Sequence, residues 1–169
     1  MKRTFLAFFV ILVAILPAPA FAQLKVGIIN LQKALLETAD MKKASADLEA
    51  RYKPKADQLA KLQKDLADIQ TKLQNPQTAA NVAADLQAEG ARRQREAQRI
   101  QEDLQGDVER DRNEILQRGA VRMNEVVQKL AEAKGLDMVV DVTNAVYFKP
   151  AMEFSTEATV AYDKAYPAK

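Results

Sequence analysis

The sequence contains no cysteine, no histidine and no tryptophan, and only 5 of its 169 residues are glycine. Without cysteine there can be no disulfide, so noncovalent packing or oligomerisation has to hold the fold. Without histidine or cysteine the usual general base, the thiol nucleophile and most transition-metal ligand sets are missing. The glycines, Gly27, Gly90, Gly106, Gly119 and Gly135, stand alone, so no glycine-rich phosphate loop is present. The carboxylates that remain recur among Lys and Arg along helical stretches, as in Glu109-Arg110-Asp111-Arg112, the pattern of a solvated face. The sequence therefore reads as a protein that is not an enzyme and carries no cofactor and no metal centre.

Long apolar runs are also scarce, and the single one lies at the N-terminus. Lys2 and Arg3 precede an apolar stretch from Phe5 to Leu16, and Ala20-Phe21-Ala22 forms a small-x-small site. The apolar stretch of roughly a dozen residues is short of the ~20 needed to span a bilayer, and Pro17 and Pro19 end it. Residues 1–22 are thus read as a cleaved export signal. Removing them takes the 25 basic residues to 23, equal to the 23 acidic ones. The mature chain is then formally neutral, which weakens any case for nucleic-acid binding.

Beyond the signal, the chain is organised by a change of period. Leu24-Lys25-Val26-Gly27-Ile28-Ile29-Asn30 reads as a short strand buried on both faces. From Leu31 the pattern turns helical, and Met41, Ser45, Leu48, Tyr52, Lys55, Leu59, Leu62, Leu66, Ile69 and Leu73 step by four and three as a heptad seam. Pro54 lies inside the seam without changing its phase and is read as a bend or hinge. The seam is lost at Asn75-Pro76, which predicts a reversal near 74–78. A second helix is expected from about Ala79 to Lys134, capped by Gly135.

Strand period returns in Leu136-Asp137-Met138-Val139-Val140-Asp141-Val142 and Ala145-Val146-Tyr147-Phe148, with a turn at Thr143-Asn144, which predicts a β-hairpin. A final helix is expected over about Thr156 to Ala165, with Ser155 as its cap and Val160 pointing inward. The fold class is α+β: a long antiparallel helical hairpin, 31–134, on a small body made from 23–30 and 135–169. A helix of about 43 residues reaches ~65 Å and cannot fold back into a compact body. Three short strands are too few for a stable sheet, so the body needs copies of itself. Val26, Ile28, Val139, Val140, Val142, Val146 and Phe148 are the expected oligomer contacts.

Near the reversal fewer neighbours can cover the seam, so Ile69, Leu73, Val82 and Leu86 are candidate binding groups. Arg92, Arg93, Arg95 and Arg99 form a basic patch beside them. It could meet acidic stretches of a bound chain, anionic lipid or lipopolysaccharide. Glu96, Glu102 and Asp103 make an ordinary mixed-charge surface the plainer reading.

Strand 25–30, a long helical hairpin, the Leu136–Asp141 and Asn144–Tyr147 segments and the Ser155–Tyr162 helix, in that order, resemble the Skp/OmpH family of periplasmic chaperones. The resemblance covers essentially the whole chain after the signal. It implies a periplasmic homotrimer whose strands join in a central body, with helical arms around a cavity that holds unfolded outer-membrane β-barrel proteins without ATP. The formal neutrality of the mature chain departs from the basic character of familiar members. The alternative function is a coiled spacer or adaptor of the envelope that binds fixed, folded partners.

Overall fold

The computed structural model describes residues 24–168. The export signal expected over residues 1–22 lies outside the described residues. Among the latter, no helix is long and apolar enough to cross a membrane.

The chain starts with strand β1 (Val26–Ile29), followed by a short helix α1 (Leu31–Leu36). Two long helices come next, α2 (Ala39–Gln74) and α3 (Ala80–Lys134). At 1.5 Å per residue their 36 and 55 residues extend about 54 Å and about 83 Å. Strand β2 (Met138–Asp141), two single 3-10 turns (Val142–Asn144 and Pro150–Met152) and helix α4 (Ser155–Ala165) complete the chain. The α+β class, a long antiparallel helix pair on a small strand-bearing body, is the one the sequence predicts.

The first helical stretch is not continuous from Leu31. Thr38 is fully buried and interrupts it: its hydroxyl donates to the Leu35 carbonyl at 2.8 Å and accepts the Met41 N–H at 3.2 Å. It thus closes α1 and caps α2 with one side chain. The break shortens α2 to 36 residues against the expected 43 or so. α2 then runs unbroken through Pro54 to Gln74. The reversal is built by Asn75, whose carboxamide oxygen accepts the Gln77 N–H, and by Thr78, whose hydroxyl donates to the Lys72 carbonyl. Gly135 ends α3 at φ 62°, the left-handed position that favours glycine, with its N–H returned to the last turn.

The body differs from the expected hairpin. β1 pairs with β2 in parallel, Val26 opposite Met138 through Ile29 opposite Asp141, so the two strands are joined across the whole arm. Residues 145–148 form no strand among the described residues; one isolated parallel bridge, Ile28 with Glu153, lies on the other side of β1. The cause sits at Asp141. Its carboxylate accepts both the N–H and the hydroxyl of Thr143, at 2.9 and 2.6 Å, and bends the chain into a 3-10 turn where strand would have continued.

Two further expectations are corrected. Val160 is 64% exposed; α4 instead buries Ala158, Thr159 and Tyr162. Ser155 does not cap its own helix: its hydroxyl accepts the Asn30 N–H at 2.8 Å and donates to Glu153. The sequence supplies a cap-like residue, but tertiary contact with the end of β1 claims it.

The main core lies where the arm meets the body: Ile29, Ala34, Leu35, Met41, Met123, Val126, Val127, Phe154, Ala158 and Tyr162. Two glycines are built into it. A Cβ on Gly27 would stand 2.6 Å from Leu136 and 2.7 Å from the Phe154 ring. One on Gly119, in the root-side part of α3, would stand 2.8 Å from the end of Met41 and 2.9 Å from Leu35. Gly119 costs helix propensity, and the close seating of those two side chains against α3 offsets it.

Candidate functional site

Three zones along the arm differ in what holds α2 to α3. At the root, α4 clamps the pair. The Tyr162 phenol, fully buried in the core, donates to Asp40 at 3.2 Å, and burial pushes its pKa up. Arg122 of α3 donates to the same Asp40 carboxylate at 3.2 Å, and its guanidinium stacks over Tyr166, 4.9 Å from the ring centre. Tyr166 donates to Glu125, and Asp163 accepts the N–H of Ala39, a free amide at the start of α2. The short terminal helix therefore holds both long helices at their base.

In the middle, ion pairs replace apolar packing. Further out a second small core forms from Leu62, Ala97 and Ile100, with Leu59 and Leu66 packed against it. Beyond that core, burial falls away. Of the four apolar candidates near the reversal, Ile69 is buried, Leu73 and Leu86 are half-buried, and Val82 is 45% exposed. No residue of α3 before Ala97 is buried. The helix pair thus ends in a zone with apolar side chains that the arm itself covers only in part.

The four basic candidates divide. Arg93 is half-buried and tied to Asp65 of α2 and to Glu89, its guanidinium pKa raised first by the bond to Glu89. It is a strut between the helices. Arg92, Arg95 and Arg99 are exposed and make no ion pair among the described residues.

In the body, Ile28 is buried within the single chain, while Val26, Val139, Val140, Val142 and Phe148 are half-buried. Val146 is 106% exposed and its neighbour Tyr147 is 83% exposed. Tyr147 is not among the contacts expected from the sequence; on a strand it would lie on the face opposite Val146 and Phe148. In the absence of a strand, that alternation no longer applies. Leu24, Leu36, Val121 and Met138 are further exposed apolar groups for which periodicity gave no signal.

Comparison with known proteins agrees with this architecture. Residues 25–159 match the family described as outer membrane protein (OmpH-like). A Skp-like protein of Pseudomonas aeruginosa is 27% identical over 158 residues, 92% of this chain and 94% of the relative. A crystal structure described as an OmpH-like outer membrane chaperone from Caulobacter crescentus shares the fold with a TM-score of 0.70. It is 19% identical, over 88% of this chain and 89% of the other. With most of its length matched by the family and its arm-and-body fold shared, the chain belongs to the OmpH-like, or Skp/OmpH, family.

Proposed function

We propose that the protein is an ATP-independent periplasmic holdase, which keeps unfolded outer-membrane β-barrel proteins from aggregating in a cavity between its helical arms. The observation that carries this reading is the thinly covered arm tip: half-buried Leu73 and Leu86 and exposed Val82 lie beyond the last apolar core, on a pair of helices projecting from the body. Partly exposed apolar groups of this kind offer many weak contacts to an extended chain. Such contacts, repeated on several arms, give avidity without a tight single site. A client strand so covered cannot pair with another chain.

The active form is a homotrimer. Its support is the size of the sheet, two paired strands, which is below what is stable alone. The exposed Val146 and Tyr147 beside it add an apolar surface for a neighbouring copy. Client contact falls to Leu73, Val82 and Leu86, with Arg92, Arg95 and Arg99 facing acidic stretches or anionic headgroups, while buried Ile69 and the strut Arg93 hold the tip together. Export of the chain by cleavage after Ala22 places it in the periplasm.

The test is dilution of a urea-unfolded outer-membrane β-barrel protein into buffer containing equimolar mature assembly and no nucleotide, followed by light scattering. Suppressed scattering supports the holdase. Undiminished scattering together with tight binding to one folded envelope protein would make it an adaptor.

A further inference from the structure

The middle of the arm is held in a different way from its two ends. Between Met41 and Leu62 no residue of α2 is buried, and between Ile100 and Gly119 none of α3 is. Leu104 and Val108 are only half-covered, and a Cβ on Gly106 would meet nothing within 4 Å. In place of an apolar seam, α2 reaches across with polar groups. Arg51 and Tyr52 both donate to Asp111, at 2.9 and 2.8 Å, and Lys55 donates to Asp107 at 3.0 Å. Arg110 on α3 itself also binds Asp107. These groups stand at Tyr52 and Lys55, two seam positions, and bracket Pro54, which gives the helix no N–H for the carbonyl of Ala50.

We propose that residues 51–55 of α2 and 107–111 of α3 form an ionic joint, the place where the arm bends, whose stiffness is set by charge pairing and therefore by ionic strength. The clusters on either side are held chiefly by apolar packing, which salt does not screen, with ion pairs such as Arg122–Asp40 and Arg93–Asp65 only at their edges, and they move as rigid segments. The pairs themselves are open to solvent: Arg51 and Lys55 side chains are 66% and 47% exposed. Screening reaches such pairs readily, since the Debye length falls from about 8 Å at physiological salt to about 3 Å at 1 M. Lowering of the Asp107 carboxyl pKa, first by the bond from Lys55 and next by that from Arg110, agrees with pairing of the charged form. Pro54 alone would give a fixed defect; the carboxylates opposite it make the joint adjustable. Such a joint is a property of the arm itself, separate from the holding of clients.

Amide hydrogen exchange on the mature assembly without client tests it, because exchange reports local opening segment by segment. Amides of 49–57 and 104–112 are expected to exchange faster than those of the flanking clusters, and about fivefold faster again in 1 M NaCl than in 20 mM, with the clusters unchanged. The Lys55→Leu/Asp107→Leu pair should slow exchange at the joint and remove most of its salt response. Tyr52→Phe with Asp111→Asn keeps the volumes and should move the low-salt rates part of the way to the high-salt ones, since the Lys55–Asp107 pair remains. Far-ultraviolet circular dichroism and the flanking amides report whether each variant is folded. Uniform exchange along the arm, or a salt response undiminished in both folded variants, would overturn the joint. Neither result would bear on client holding, which the scattering assay reads separately.

Discussion

Three glycines of this chain do different things, and substitutions separate them. Gly106 faces open space inside a helix, so Gly106→Ala should stabilise the protein by about 0.5–1 kcal/mol. Gly27→Ala places a methyl group against the buried Phe154 ring and Leu136 and should destabilise by about 1–3 kcal/mol. Thermal or urea unfolding of the two variants reads both signs. Gly119 is intermediate, because the atoms it would meet are the free ends of Met41 and Leu35, which can shift. Helix propensity alone treats Gly106 and Gly119 alike; only the packing of Met41 against α3 distinguishes them. Asp141 is the second residue-scale lever. Bonds from the Thr143 hydroxyl and N–H, and from the Leu31 N–H, hold its carboxyl below the usual carboxylate range. A depressed carboxyl contributes stability above its unfolded pKa, about 3.9, that is lost as pH falls through the folded value. Stability should therefore drop below about pH 4, and Asp141→Asn should shrink that drop while lowering stability at pH 7; circular dichroism across pH 2–7 measures it.

Among the elements, α4 shows how a short helix can govern long ones. Its 11 residues and the Tyr166 that follows them set Tyr162, Asp163 and Tyr166 on the roots of α2 and α3. Tyr162→Phe removes only the hydroxyl facing Asp40 and should cost about 1 kcal/mol, whereas Tyr162→Ala opens the core and should cost about 3–5 kcal/mol. Chemical denaturation distinguishes the two. The long helices were legible in the sequence because a heptad seam and a proline-marked reversal are local patterns. Gly135 was legible for the same reason, as a helix stop. The body was not. Val139-Val140 and Val146-Tyr147-Phe148 alternate like a hairpin, yet β2 finds its partner in β1, and no local pattern states which distant strand a strand will join. The Thr38 break was readable in principle, a Thr followed by Asp40 in the first turn, but the continuing apolar positions on both sides masked it.

On the scale of the whole molecule, the fold commits most of its apolar packing to one place, the junction of body and arm, and thins it outward. The arm then has a firm root, an ionic middle, a small second core and a thinly covered tip. This grading is what the proposed holding of chains without fixing them requires, since groups at the tip stay available for contact. The apolar tip candidates were found in the sequence from the argument that a reversal lacks neighbours, and their burial follows that trend from Ile69 to Val82. The basic patch was not resolved by the same reasoning, because only the position of Asp65 across the hairpin shows Arg93 to be a strut. Substituting Val82 and Leu86 together with Ser should leave unfolding unchanged to within about 0.5–1 kcal/mol while weakening client capture severalfold. Titration of a fluorescent unfolded β-barrel protein reads the second effect. The most direct measurement of the central claim is the native mass of the mature assembly before and after addition of one unfolded outer-membrane β-barrel protein, in the absence of nucleotide. Three copies of the chain gaining one client is the predicted result, and an assembly whose mass stays unchanged in the presence of that client would contradict it.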